Sequence, residues 1–376
     1  MKSMLIGVPK EIKAQENRVG LNPDSVKELV QAGHKVIVET KAGQGILASD
    51  DDYREAGAEI LGAAQEIFDK AEMIVKVKEP QPIECAMLRE GQILFTYLHL
   101  AADSVQAEGL INSGCVAIAY ETVTGRNGGL PLLAPMSEVA GRMGPMMAAF
   151  HSQKHMNGMG RLMSGVPGVE PSNVTVIGGG VSGLNAARVA VGMGARVTIL
   201  ERSPERIRFL DEHFGTSANV VMSNAASLER YVLNSDVVIG AVLIPGAAAP
   251  KLISKDHLSQ MRSASIVVDI AIDQGGCLET SKATTHSDPT YTVDGVLHYC
   301  VANMPGAYPQ SSTAALNHAT LPYTLELANK GWKQALQDNM HLREGLNVID
   351  GKITYKAVAE ALNMDYQNID EALLAA

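Results

Sequence analysis

One segment, VTVIGGGVSGLNAARVAVGMGARVTILE from Val174 to Glu201, limits the folds open to this chain more than any other. A β-branched run meets a G-x-G-x-x-G turn, an alanine-rich helical stretch follows, and a second β-branched run ends on an acid. That is a complete strand, turn, helix and strand unit of the size that joins two parallel strands. Gly178 permits the tight turn, Gly180 lets a pyrophosphate approach the backbone, and Gly183 lets helix and strand pack closely. The start of the helix then offers unpaired N–H groups to phosphates. Glu201 ends the second strand 18 residues after Gly183, where a carboxylate can take ribose hydroxyls. An acid there favours NAD over NADP, because a 2′-phosphate would face like charge. Arg202 and Arg206 weigh the other way, since either guanidinium can pair with a phosphate. A glycine-rich packing turn would not explain the acid.

The rest of the chain continues the alternation of short β-branched runs and amphipathic segments, which predicts an α/β fold. Strands are expected near Met4, Lys35, Met73, Ile93 and Val116 in the first half, and near Val174, Arg196, Val237 and Ser265 in the second. A helix from Pro23 to Gly33 is opened by the capping run NPDS. AGHKVIVET, from Ala32, resembles MGARVTILE, from Met193, and GQILFTYLHL, from Gly91, lies opposite SASIVVDIAID, from Ser263. This internal repeat predicts two doubly wound Rossmann-like domains, with parallel sheets facing a central cleft. Residues 131–305 are expected to form the NAD-binding domain, with a linking helix at about 137–154 interrupted or bent near Gly144-Pro145. Residues 1–130 plus 306–376 then form a discontinuous substrate domain.

A length of 376 residues also favours two domains. The formal charge of -10 argues against general affinity for nucleic acid or anionic lipid. Cys85, Cys115, Cys277 and Cys300 are widely spaced and form no CxxC pattern, so they read as buried thiols of a reducing compartment. The N-terminal apolar run is too short for a signal peptide, and no apolar stretch approaches the roughly 20 residues that span a bilayer. A cytoplasmic protein is expected.

Hydride removal from a small acid calls for a cation to hold its carboxylate and an acid/base to move its proton. Arg18, in the loop after the first strand, can bind a carboxylate bidentately or serve as a surface charge. Lys76 and Lys78 alternate in VKVKEP, where Lys78 lies nearer the strand's carboxyl end. A lysine in an apolar strand needs a partner, and a substrate carboxylate would be one. His99 follows ILFTYL and is either a packed core histidine or a proton shuttle. Asp273 in DIAIDQGG occupies the matching place in the repeat and is otherwise a turn acid. Together His99 and Asp273 would bring a proton shuttle and a carboxylate to opposite lips of the cleft, since open α/β sheets bind ligands beyond the carboxyl ends of their strands. His151 and His155 are four apart on an expected helix, but no acid follows as in HExxH, so packing is favoured over a metal. The methionines of GRMGPMM also read as packing.

With GVPKEIKAQENRVGLNP, VKVKEP, GQILFTYLHLA, AYETV, PLLAPMSEVAGR, GVPGVEP, IGAVLIPG, VDIAIDQGGC and VANMP added to the glycine loop, the chain resembles the alanine dehydrogenase family over nearly its whole length. The resemblance implies reversible oxidative deamination of L-alanine to pyruvate and ammonia, with NAD as hydride acceptor and no metal. It implies that Arg18 and Lys78 hold the substrate carboxylate and that His99 is the general acid/base. Asp273 would position water or ammonia and stabilise cationic intermediates. Family cofactor contacts fall on Ser137, Gly178, Gly180, Val181, Ser182, Gly183, Glu201, Arg206, Ser223, Val242, Leu243, Ile270 and Asp273, and on Val301, Ala302, Asn303 and Met304. Glu201 departs from the aspartate familiar at its position. The family is commonly homohexameric, with no membrane or nucleic-acid partner. Two other readings remain open at this point. One is the NAD-binding subunit of a proton-translocating transhydrogenase, which shares the KE…ENRV pattern; the other is a catalytically silent NAD-binding sensor.

Overall fold

The computed structural model describes residues 3–242 and 249–375, so Leu243 lies outside the described residues. The chain divides into two compact units, the first made of Met1–Met136 with Tyr308–Ala376 and the second of Ser137–Ala307. The first unit begins with strands β1 (Leu5–Val8), β2 (Lys35–Glu39), β3 (Glu59–Leu61), β4 (Met73–Val75), β5 (Ile93–Thr96) and β6 (Val116–Ala119). The second contains β7 (Asn173–Ile177), β8 (Arg196–Glu201), β9 (Ala218–Met222), β10 (Val237–Gly240), β11 (Ile266–Asp269), β12 (Thr290–Val293) and β13 (Val296–Tyr299). The returning tail adds β14 (Leu346–Ile349) and β15 (Lys352–Ile353) to the first unit.

The first sheet runs β15-β14-β6-β5-β4-β1-β2-β3 and the second β12-β13-β11-β10-β7-β8-β9. The parallel series β6-β5-β4-β1-β2-β3 and β13-β11-β10-β7-β8-β9 have the same order, so the internal repeat seen in the sequence is a repeated fold. Each sheet gains antiparallel strands at one edge, β14 and β15 beside β6 and β12 beside β13. Those added strands were not expected from the sequence, although β14 is buried along its whole length. In both sheets the winding reverses between the first and fourth strands, β1 and β4 or β7 and β10. Such a switch point opens a crevice beyond the strands' carboxyl ends, where α/β folds bind ligands.

Central strands β4, β5, β6, β10 and β11 are buried along their whole length, which explains their continuous apolar runs. The helix Pro23–Gln31 starts as NPDS predicts, with the Asn22 side chain accepting from the Ser25 N–H. Three expectations are corrected. Strands β4, β5 and β11 stop at Val75, Thr96 and Asp269, so Lys76, Lys78 and His99 lie beyond strand ends and Asp273 lies in a 3-10 turn, Ile270–Gln274. Burial continues past the last paired residue, with Leu98 at 0% and Ile272 at 6% exposure, so hydrophobicity alone overstates strand length. The helix Ala134–His151 runs unbroken through Pro145. It ends at His151, and His155 belongs to a separate 3-10 turn, Lys154–Met156, so the two histidines share no helical face.

Candidate active site

In the first unit, the polar residues cluster where the sheet reverses. Arg18 follows β1, Lys78 follows β4 and His99 follows β5, three neighbouring strands in the order β5-β4-β1. Arg18 is 2% exposed. Its Nε and Nη2 donate to the two carboxylate oxygens of Glu16 at 2.7 and 2.5 Å, and Nη1 lies 3.0 Å from the Met136 sulfur. Burial works against the guanidinium charge, but Glu16 more than offsets it and the Arg18 pKa is raised. A bidentate partner of this kind fixes the plane of the guanidinium.

The two lysines of VKVKEP have different surroundings. Lys76 is fully buried, with Nζ 2.7 Å from Glu84 Oε1 and 3.2 Å from Glu11 Oε2. Burial again opposes the charge, and these carboxylates more than compensate, raising the Lys76 pKa. Lys78 is half-buried, and its ammonium hydrogen-bonds to no side chain among the described residues. Its backbone is held from below, since Glu11 Oε1 accepts from Val77 N at 2.6 Å and Lys78 N at 3.4 Å, while the Lys78 carbonyl accepts the Thr96 hydroxyl at 2.9 Å. Burial would raise the neighbouring Glu79, but Lys78 and then Lys13, its ion-pair partner, draw its pKa below the ordinary range.

His99 has left-handed backbone angles, φ 51° and ψ 36°, and its side chain is 45% exposed. Its ring stacks on Tyr97 with centroids 5.7 Å apart and planes 9° from parallel. The Tyr97 hydroxyl donates to the Leu132 carbonyl at 2.5 Å, and burial holds the phenol strongly protonated. A cavity of about 410 Å³ opens beside this cluster, with Lys10, Glu11, Glu16, Arg18 and Lys41 in its walls. Lys78 and His99 do not line it, so cavity volume alone would place the chemistry on the β1/β2 side. The polar groups that follow β1, β4 and β5 mark the switch point of the sheet as the candidate site instead.

The second unit carries the glycine loop at its own switch point. Gly178 follows β7 at φ +92°, a backbone region that L side chains rarely adopt. A Cβ on Gly183 would overlap the Gly178 carbonyl, whereas one on Gly180 would meet nothing within 4 Å. The helix Val181–Gly192 thus begins under open space, with no side chain capping its first N–H groups. That start fits a dinucleotide pyrophosphate. Glu201 Oε2 accepts from Gly179 N at 2.8 Å, and Oε1 accepts from Arg202 N at 2.6 Å and Ser203 N at 2.9 Å. A carboxylate has about four acceptor positions, so room is left on Oε2 for a ribose hydroxyl. Arg206 donates to the carbonyls of Gly179 at 2.6 Å and Gly180 at 3.3 Å, and lies over the Phe209 ring.

The other expected contacts lie around the same edge of this sheet. Ser182 Oγ donates to the Ser137 carbonyl at 3.0 Å, and Ser223 N donates to the Glu201 carbonyl at 2.8 Å. Val242 follows β10. Ile270 opens the 3-10 turn that carries Asp273, and the buried Asp269 carboxylate caps that turn through Ala271 N at 3.1 Å. The exposed Asp273 accepts from Asn303 N at 3.4 Å, which ties its turn to the Val301 to Met304 segment. Val301 and Met304 are buried, and Ala302 and Asn303 are half-buried.

The model of the alanine dehydrogenase/PNT N-terminal domain matches residues 7–140, and that of the C-terminal domain matches residues 144–356. The chain belongs to the alanine dehydrogenase/PNT family. It is 57% identical to the alanine dehydrogenase of Halomonas elongata, across 96% of this chain and 98% of that one. It is 54% identical to alanine dehydrogenase 2 of Staphylococcus aureus, across 98% of this chain and all of the relative. A solved L-alanine dehydrogenase superposes with a TM-score of 0.92 at 49% identity, covering 96% of this chain and 99% of the other. A transhydrogenase from Sinorhizobium meliloti shares the fold, with a TM-score of 0.79 at 24% identity over 94% of this chain and 99% of its own.

Within this alanine dehydrogenase/PNT chain, three glutamates that matter to the cluster were missed by sequence reasoning: Glu11, Glu16 and Glu121. Each stands inside a segment that carried the family resemblance, KE, ENRV or AYETV. Their partners, Val77, Arg18 and Leu98 with His99, are set by loop geometry, and no helix or strand period announces them.

Proposed function

We propose that this chain is an NAD-dependent L-alanine dehydrogenase, catalysing the reversible conversion of L-alanine, water and oxidised NAD to pyruvate, ammonium, NADH and a proton. The observation that carries the reading is the set of polar groups past β1, β4 and β5, in a chain 57% identical to a named alanine dehydrogenase. Arg18 and Lys78 hold the substrate carboxylate, the first as a planar fork kept in place by Glu16 and the second as a mobile point charge. His99 takes the proton from the amine as the Cα–H bond breaks, and moves protons again as water adds and ammonia leaves. Imidazole suits this traffic because it exchanges protons near neutral pH. Asp273 positions the water or ammonia and stabilises the cationic imine by its charge.

The residues that hold the dinucleotide are the glycine loop, the start of the Val181–Gly192 helix and Glu201, and NAD bound there supplies the hydride acceptor. Ser137, Ser182, Arg206, Ser223, Val242 and Ile270 support that site, together with the run from Val301 to Met304. Glu201 favours NAD, since its carboxylate would repel a 2′-phosphate. We read the chain as a cytoplasmic homo-oligomer, in line with its free cysteines and the absence, among the described residues, of a helix long and apolar enough to cross a membrane. The hexamer expected of the family is tested by light scattering of the purified protein.

The deciding assay follows NADH formation by purified protein with NAD and a panel of L-amino acids, without membranes. Turnover with L-alanine above the other amino acids is expected. Hydride exchange between dinucleotides with no alanine turnover would overturn the proposal in favour of a transhydrogenase subunit.

A further inference from the structure

Strand β6 pairs with β5 up to Thr96 opposite Ala119, so the turn that follows β6 lies alongside the Tyr97 to His99 segment. That turn, Tyr120–Thr122, carries Glu121. Glu121 Oε1 accepts from the His99 N–H at 2.5 Å, and both carboxylate oxygens lie 3.2 Å from the Leu98 nitrogen. Its side chain is only 14% exposed. Two successive N–H groups thus converge on one carboxylate, an arrangement that suits an anion.

The backbone they belong to is unusual. His99 is a non-glycine residue in the left-handed region, which persists only where the surroundings hold it. The ring is constrained from a second side by Tyr97, itself edge-on to Tyr120 at 5.1 Å, the residue next to Glu121. Glu121 Oε1 lies 4.0 Å from the ring's Nδ1, too long for a hydrogen bond. The carboxylate therefore acts on the backbone of His99.

We infer that Glu121 is a positioning residue, which fixes the imidazole of His99 for proton transfer by holding the N–H groups of Leu98 and His99, without itself touching substrate. The inference rests on the acid/base role proposed above for His99. An acceptor at position 121 is what the geometry requires, so glutamine should largely substitute for glutamate and alanine should not.

The test uses the full-length protein as wild type, Glu121→Ala, Glu121→Gln and His99→Gln. It measures kcat and both KM values, with the His99 backbone amide resonance in protein labelled with 15N-histidine, assigned by its loss in His99→Gln. Glu121→Ala is expected to lower kcat by roughly 30- to 100-fold, the scale of an ångström of misplacement, with KM for NAD within about twofold. The His99 amide proton should move upfield in Glu121→Ala, and Glu121→Gln should recover kcat to within about fivefold with an intermediate resonance. Should the alanine variant fail to fold, Glu121→Asp, one methylene shorter, is expected to lower kcat and move the resonance, and no change in either would overturn the inference. Wild-type kcat in Glu121→Ala with an inactive His99→Gln would overturn the role of Glu121 alone. Undiminished turnover in His99→Gln would overturn the acid/base reading, and the inference with it.

Discussion

Replacing Lys76 by methionine separates a structural lysine from the proposed substrate lysine two residues away. Lys76 is fully buried, and its Nζ neutralises Glu84 at 2.7 Å and Glu11 at 3.2 Å, two carboxylates that are themselves 2% and 6% exposed. Methionine keeps the length of the side chain but leaves both carboxylates without their cation. Removing one partner of a buried ion pair costs roughly 3–5 kcal/mol. For a unit of about 200 residues at roughly 2–4 °C per kcal/mol, the melting point should fall on the order of 10 °C. The pH dependence is the sharper part. Burial raises the Glu11 pKa above its ordinary value, and Lys76 is the foremost influence lowering it. A raised carboxyl pKa contributes stability at low pH that is lost as pH rises through the folded value. Without Lys76 this effect grows, so the deficit should be largest at alkaline pH and shrink on acidification. The single tryptophan, Trp332, belongs to the same unit, so melts followed by its fluorescence at pH 6 and 8.5 report the right transition. Lys78→Met should melt within about 2 °C of wild type, because the Lys78 ammonium has no side-chain hydrogen bond to lose, but should raise KM for L-alanine. A Lys76→Met deficit that is absent, or that widens as pH falls, would refute the charge argument.

Two further outcomes are expected. His99→Ala should abolish alanine turnover while leaving NAD affinity, measured by calorimetry, within about threefold, since removing an acid/base leaves the dinucleotide's anchors in the other unit intact; near-wild-type activity would remove the acid/base assignment. Gly183→Ala places a Cβ onto the Gly178 carbonyl, so the loop must open and NAD affinity should fall by at least about tenfold. Wild-type affinity in that variant would mean that helix and turn can separate without cost.

The parts of the fold written in periodicity were legible, and those written in loops were not. The repeat between AGHKVIVET and MGARVTILE, with the acid ending each strand, foretold the matching sheet orders because strand burial on both faces leaves a continuous apolar run. The same run misled at the strand ends. ILFTYL reads as six strand residues, yet pairing ends at Thr96 and Tyr97 and Leu98 are buried in the turn that delivers His99. VKVKEP suggested that only one lysine needs to matter for substrate, and it could not reveal that the other is enclosed by Glu11 and Glu84, 65 and 8 residues away. Arg206 was legible as a cation near the ribose, but its donation to the Gly179 carbonyl depends on how the following helix packs.

The deepest consequence of the repeat is one hydrogen bond made twice. Two residues after β7, the Gly179 N–H donates to Glu201 Oε2 at 2.8 Å, and two residues after β1, the Lys10 N–H donates to Glu39 Oε2 at 2.7 Å. Glu201 ends β8 and Glu39 ends β2, so the same carboxylate ties the same turn in both units. Beyond that point the two diverge. In the second unit a helix starts at once, at Val181, and leaves its N–H groups for phosphates. In the first the next helix waits until Pro23, and the intervening loop brings in Glu11, Glu16 and Arg18. One bond therefore supports, in one unit, the glycine turn proposed to hold the dinucleotide and, in the other, the loop of Arg18, proposed to hold the substrate carboxylate. Glu201→Ala should raise KM for NAD by roughly tenfold or more, the scale of a lost charge-assisted hydrogen bond, with little change in KM for L-alanine. Glu39→Ala should do the reverse, loosening the loop of Arg18 and raising KM for L-alanine while sparing NAD. Steady-state kinetics with each substrate varied in turn decide the matter: equal effects of both variants on KM for NAD would show that the repeated bond has not been divided between two tasks.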